Sequence, residues 1–299
     1  IVVECTSFRL AYTPTFRAEA AAWLNLAPDH LNWHASMVTS EAAKARIWAN
    51  QRTSDAAIGF VDDPVVMGRL AQATGRRRTF GLADADYRVE RMGTPDAELV
   101  GPTGSITAAS TMRRALPHDL TNALAASAMV LEAGLVDERA IAAALSDFVG
   151  PAHRLEHVGT WGDVAWFNDS KATTPHAAAA AVRSFDRLVL IAGGYDKGVD
   201  LEPMAAETDR VDAVIALGDT APAIVSAFEG VAQITQVADM AAAVAAARRF
   251  ARPGSTVLLS PGCASFDQYD GFERRGDHFR ELVLDHAANP DAHTQGEIR

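Results

Sequence analysis

From residue 164 to residue 259 the chain alternates four short aliphatic runs with four segments of helical length. The runs, at 164–167, 188–191, 213–217 and 256–259, are nearly continuous in apolar residues. Such runs suit strands buried on both faces rather than strands with one wet side. The segments at 175–185, 201–208, 221–228 and 240–250 are predicted helices, each long enough to carry the chain back across a sheet. This alternation restricts the second half to α/β architecture with a parallel, doubly wound sheet. A last helix is predicted at 272–286, before a polar tail at 288–299 expected to be disordered.

The first half is less regular. Ile1-Val2-Val3-Glu4 reads as a buried strand already under way, so the chain is expected to begin inside a domain. Further strands are predicted at 21–26 and 56–61, and a helix at 38–50 with Thr39 or Ser40 as its cap. Asp62-Asp63-Pro64 supplies a cap and a first-turn proline for a helix to about residue 74. Residues 77–111 break into short alternating pieces between Gly-Pro turns, which predicts a small antiparallel insertion. Helices at 119–133 and 137–148 lead to Gly150-Pro151, the best linker in the chain. Two domains are expected, at 1–150 and 151–287, as the length of 299 residues suggests.

Composition excludes several classes. The formal charge is −11 and the longest basic run is Arg76-Arg77-Arg78, at the start of an apparent strand, so no nucleic-acid partner is expected. No apolar run reaches the roughly 18 residues of a membrane span. The first residues lack the basic region and cleavage site of a signal peptide. Two cysteines, Cys5 and Cys263, argue against a disulfide framework and fit a reducing compartment. A cytoplasmic monomer that does not engage membranes is expected. Of the 27 basic residues only Lys44, Lys171 and Lys197 are lysines. In a chain that uses arginine for ordinary surface charge, a lysine is a candidate for work that needs a compact charge or a reactive amine.

Ligands of doubly wound sheets bind beyond the carboxyl ends of the strands, and polar residues cluster after the apolar runs. Glu4, followed by Cys5-Thr6-Ser7, suits a hard Mg²⁺ ion, against the plainer reading of an exposed acid. Asp29-His30 follows the second strand, and Lys44 lies on the next helix. Asn168-Asp169-Ser170-Lys171-Ala172-Thr173 runs into a proline-initiated helix and forms an anion site in pattern. Gly193-Gly194-Tyr195-Asp196-Lys197-Gly198 lets backbone pass close to a ligand and differs from the dinucleotide G-x-G-x-x-G. Ser260-Pro261-Gly262-Cys263-Ala264-Ser265-Phe266-Asp267 closes the last strand. It is no nucleophile elbow, and Cys263 reads as a buried small residue.

Taken together and in order, these segments resemble the Mur ligases of peptidoglycan synthesis, in particular those that add D-glutamate to UDP-N-acetylmuramoyl-L-alanine. The resemblance runs from Ile1 to about Leu284 and includes Pro117-His118…Asn122, His153-Arg154 and Phe272-Glu273-Arg274-Arg275-Gly276 besides the clusters above. All three lysines fall on family positions. The fold implied is a central P-loop ATPase-type domain, lacking its start, followed by a C-terminal Rossmann-like domain. No G-x-x-x-x-G-K-[ST] occurs in the chain, so the chain alone is expected to be inactive.

The resemblance also implies roles. ATP would phosphorylate the L-alanine carboxylate and the D-glutamate amine would displace phosphate. Glu4 would bind Mg²⁺, and His30 a second Mg²⁺ together with Lys44, which the family carries as a carbamate. Asn122, Arg154 and Asp169 would hold the adenine, phosphate and ribose side of ATP, with Lys171 supporting the phosphate region. Thr173, Lys197, Ser265, Phe266 and Phe272 would line the amino-acid site. Three positions depart from the family: Arg9 for the usual Gln, Asp119 for Asn beside the adenine, and Thr174 for Asn. Two other readings compete: a sister ligase for L-glutamate or another acidic group, including glutamate on a folate, and a non-catalytic acidic-ligand-binding fragment.

Overall fold

The computed structural model describes residues 1–28, 33–198 and 200–288. They form two compact units, Ile1–Val149 and the residues from Gly150 onward.

In the first unit, strands β1 (Ala20–Trp23), β2 (Ala56–Phe60) and β3 (Arg76–Phe80) make a parallel sheet in that order. Adjacent residues of β2 serve opposite faces. Ala56 and Ile58 pack with Leu120, Leu124 and Ala128 of helix α4 (Pro117–Glu132), while Ala57 packs with Trp23, Trp48, Val66 and Leu70. β4 (Arg88–Glu90), β5 (Glu98–Gly101) and β6 (Gly104–Ala108) form the antiparallel insertion, whose Val89, Leu99 and Ile106 join the α4 side of the core. α1 is Ser7–Tyr12, α2 Met37–Ala45, α3 Pro64–Leu70 and α5 Glu138–Asp147. Asp63 caps α3 through the Val65 and Val66 amides, with Pro64 in the first turn.

Several expectations for this unit are corrected. Ile1–Glu4 forms no strand and is exposed, because no strand of the sheet offers it a ladder. The cap of α2 is Ser36, which exchanges hydrogen bonds with Thr39 in a capping box, rather than Thr39 or Ser40. α2 ends at Ala45 and tightens into a 3₁₀ turn, Arg46–Trp48, whose Trp48 indole donates to the Ala21 carbonyl at 3.0 Å. α3 stops at Leu70. Beyond it the chain must turn so that Gly75 passes against the Asp55 main chain, where a Cβ would lie 2.9 Å from the Asp55 carbonyl oxygen. Arg76–Phe80 belongs to the parallel sheet, and the antiparallel part begins only at Arg88.

The second unit is one six-stranded sheet in the order β11-β10-β9-β12-β8-β7, with β7 (Glu156–Trp161), β8 (Val164–Asn168), β9 (Leu188–Gly193), β10 (Val211–Leu217), β11 (Ile234–Gln236) and β12 (Thr256–Leu259). Every pairing is parallel except β7 with β8. Leu188, Leu190 and Ala192 face helices α6 (Pro175–Val182), α7 (Glu202–Ala205) and α8 (Ala221–Ala227). Val189 and Ile191 face α9 (Met240–Phe250) and α10 (Phe272–Ala288). The sheet is therefore covered on both sides, as the unbroken apolar runs predict. β7 and β11 carry no apolar run and escape sequence reading, because both are edge strands with mostly half-exposed or exposed residues. α7 is also shorter than its predicted span and gives way to a 3₁₀ turn at Thr208–Arg210. The expected tail from residue 289 onward lies outside the described residues.

Strand order fixes where a ligand fits. β12 lies between β8 and β9, and the chain leaves β8 and β9 toward one face but leaves β12 toward the other. Connections that diverge in this way open a crevice at the carboxyl ends of the three strands.

Candidate functional site

Main-chain contacts stitch the crevice of the second unit together. Gly193 and Gly194 have φ of +114° and +146°, and a Cβ there would lie 2.1 Å from the Leu217 oxygen and 2.2 Å from the Ala264 oxygen. Only glycine permits this approach. It lets the Gly193 amide donate to Pro261 (2.9 Å) and the Tyr195 amide to Ala264 (2.9 Å), joining the loops after β9 and β12. The Thr220 hydroxyl accepts from the Gly194 amide at 3.0 Å and ties in the loop after β10.

Arg275 of α10 locks the other side. It is 2% exposed, and its guanidinium donates to the Ser170 hydroxyl (3.0 Å) and to the carbonyls of Ser170 (2.9 Å), Cys263 (3.0 Å) and Ala264 (3.1 Å). Burial pushes its pKa down to about 10, partly offset by the nearby Asp267 charge. Sequence reasoning quoted Arg275 within a motif without assigning it a task. The available signal was a charged residue on the same helical face as Phe279 and Val283, both buried. Cys263 is buried as read, and burial pushes its thiol pKa up, the opposite of nucleophile activation.

The predicted residues occupy these loops in different ways. Asp169 is buried, accepting from the Leu155 amide (3.1 Å) and the Ser260 hydroxyl (2.8 Å), so it holds the β8 and β12 ends together. Asn168 donates to the Gly276 carbonyl at 3.0 Å and stands 3.0 Å from His153 Nδ1. His153 rests on Gly276, where a Cβ would come within 2.2 Å of its ring, and exposed Arg154 follows it. Lys171 is exposed, with Nζ 5.6 Å from the centre of the half-buried Phe272 ring. Thr173 is half-buried, Ser265 is buried, and Lys197 and Phe266 are exposed, Phe266 at 67%. The structure thus gathers Asp169, Lys171, Thr173, Lys197, Ser265 and Phe266 on the loops of one crevice, with Phe272 at the start of α10 beside Lys171.

The first unit carries a second group. Thr6 caps α1 through the Arg9 amide, and Arg9 donates to the main-chain oxygen of exposed Glu4 at 3.3 Å. Ser7 and His34, both buried, face each other with Oγ and Nε2 2.8 Å apart. α1 packs on α2, which bears half-buried Lys44. His30 lies outside the described residues, and among the described residues no three His, Cys, Asp or Glu side chains are disposed around a metal position. Asn122 is exposed on α4. Three residues earlier, Arg114 grips Asp119 through two hydrogen bonds of 2.7 Å, and the Leu116 amide adds a third at 3.1 Å. Burial raises the Asp119 pKa, but hydrogen bonds from His118 and Arg114 prevail and hold it down to about 2. Asp119 is therefore an ionised cap of α4. A cavity of about 590 Å³ beside the insertion, lined by Thr79, Asp84, Asp86 and Arg88 among others, contains none of the expected residues.

Comparison with known proteins identifies the chain. Residues 1–130 match the Mur ligase middle domain, and residues 153–263 match the Mur ligase glutamate ligase domain. The chain belongs to the Mur ligase family. Curated UDP-N-acetylmuramoylalanine--D-glutamate ligases from Frankia casuarinae and Myxococcus xanthus are each 40% identical to it, over 95% of this chain and 61% and 64% of their own lengths. This Mur ligase chain thus spans less than two thirds of those relatives. Its fold is that of MurF ligase from Thermotoga maritima in complex with ADP, with a TM-score of 0.67 at 14% identity over 94% of this chain and 66% of that one. No described helix is long and apolar enough to cross a membrane.

Proposed function

We propose that the protein bearing this chain joins D-glutamate to UDP-N-acetylmuramoyl-L-alanine at the expense of ATP. The observation that carries this reading is the crevice of the second unit. There two exposed lysines, hydroxyl side chains and Phe266 stand on loops locked by Arg275, with Phe272 at the start of α10, in a chain 40% identical to curated D-glutamate ligases.

A carboxylate is a poor acyl donor at neutral pH, and phosphorylation supplies a leaving group. In the proposed reaction the γ-phosphoryl group of ATP passes to the L-alanine carboxylate, giving an acyl phosphate and ADP. The glutamate amine then attacks the acyl carbon, loses a proton, and phosphate departs as the amide forms. Lys197, Thr173 and Ser265 would hold the glutamate carboxylates, with Phe266 and Phe272 beside its carbon chain. Asn122, Arg154 and Asp169 would hold ATP, and Lys171 would face the phosphate groups. The protein would work as a cytoplasmic monomer.

The donors of the first unit fit Mg²⁺ in kind. Glu4 offers an exposed carboxylate and Lys44 an amine that carbamylation would turn into an anionic oxygen ligand, and hard ions prefer oxygen. Held at Glu4 and, in a second site, at Lys44 with His30, Mg²⁺ would neutralise charge on the transferring phosphoryl group.

The deciding assay is phosphate release by the full-length protein with ATP, Mg²⁺ and UDP-N-acetylmuramoyl-L-alanine. Release that requires D-glutamate is expected. Release with L-glutamate alone would move the protein to a sister activity, and none with either would overturn the ligase reading.

A further inference from the structure

An aromatic cluster at α1 is used by none of the roles above. The Trp33 ring meets Phe8 at 4.6 Å, His34 at 4.5 Å and Tyr12 at 6.2 Å, edge-on each time. His34 stacks on Phe8 at 5.7 Å and is anchored by the Ser7 hydroxyl. The base of the cluster is buried, with His34 at 4% exposure, whereas Trp33 and Tyr12 stand 44% and 77% exposed. Folding gains nothing from leaving two large rings in water, but rings already fixed by their neighbours lose little freedom when a ligand lands on them.

Position and chemistry indicate what would land there. Glu4 lies two residues before Thr6, the cap of α1, and Tyr12 is five residues beyond Ser7, about 7.5 Å along a helix rising 1.5 Å per residue. In the proposed substrate the carboxylate to be phosphorylated, which the ligase reading puts at the Glu4 end of α1, is separated from the pyranose ring by a lactyl-alanyl arm. That arm is two residue-like units, about 7 Å when extended. A pyranose has an apolar C–H face and a polar rim. The indole and phenol rings match the face, and the Tyr12 hydroxyl and the exposed Arg9 guanidinium can meet the rim. We propose that Tyr12 and Trp33 form a stacking shelf for the N-acetylmuramoyl ring and select sugar-linked L-alanine over other acyl acceptors of phosphate. The inference rests on the ligase reading for its substrate.

Two measurements on the full-length protein test it. In the phosphate-release assay, Trp33→Ala and Tyr12→Ala are expected to raise KM for UDP-N-acetylmuramoyl-L-alanine about tenfold while KM for ATP and D-glutamate move less than about twofold. Trp33→Phe and Tyr12→Phe, which keep a ring, are expected to restore most of the loss. In a fluorescence titration with N-acetylmuramoyl-L-alanine, which lacks the nucleotide, saturable quenching is expected in the wild type. It should persist in Trp161→Phe and vanish in Trp33→Phe. An unchanged sugar-nucleotide KM in an active Trp33→Ala enzyme, equal rises in all three KM values, or no quenching would overturn the shelf. If the wild type releases no phosphate, the ligase reading fails, and the titration still decides whether the shelf binds the sugar.

Discussion

Arg275 offers the sharpest test of how the crevice is held. Replacing it with alanine leaves the carbonyls of Ser170 and Cys263 without their donor, while the Ala264 carbonyl keeps the Tyr195 amide. At about 1–3 kcal/mol for each buried polar group left unpaired, the two together cost about 4 kcal/mol. The lost methylenes add about 2 kcal/mol. Against this, the cation no longer has to be buried. Its pKa of about 10, against an ordinary 12.5, puts that relief at about 3 kcal/mol. The net expectation is a loss of about 3 kcal/mol for Arg275→Ala and about 1 kcal/mol for Arg275→Met, which keeps most of the packing. Urea unfolding can be followed by Trp166, whose ring lies 6.3 Å from Phe279 of α10. Hydrogen exchange at the Tyr195 amide, bonded to Ala264, reports the loop locally. An alanine variant as stable as the wild type, with the Tyr195 amide still protected, would refute the reasoning.

The remaining predictions concern charge and chemistry. Asp119 has a folded pKa of about 2 against an unfolded 3.8, so its contribution is complete above pH 3.8 and fades as pH falls toward 2. Acid unfolding of Asp119→Asn should lack that decline, and at pH 7 the variant should be less stable by about 2 kcal/mol. Lys44→Arg in the full-length protein should cut phosphate release on the order of 10³-fold with an unchanged melting temperature, since guanidinium cannot become a carbamate. Near-normal release would remove Lys44 from the site. Lys197→Ala should raise KM for D-glutamate more than KM for ATP, and equal effects would place Lys197 elsewhere.

Much of the second unit was readable because its signals are local. β9, β10 and β12 are buried on both faces and so announce themselves as apolar runs. Polar residues directly after those runs had to fall at one edge of a parallel sheet, which is why the clusters at 168–173, 193–198 and 260–267 could be named from order alone, while the single residues within them came from the family resemblance. Residues 1–4 failed the same reasoning, since an apolar run is necessary for a buried strand but cannot supply its neighbour. β7 failed in the opposite sense: an edge strand needs only a backbone partner, and its exposed side chains leave no pattern.

What the sequence by itself determined is the α/β class, the strand ends and the residue types available at them, because periodicity and burial act over a few neighbours. Only the tertiary structure decided which distant groups meet. Asp169 finds the Ser260 hydroxyl 91 residues away, Arg275 reaches Ser170 across 105, and His34 settles on Ser7 across 27. Each contact satisfies a polar group in a place from which water is excluded, and only the completed packing specifies where those places are.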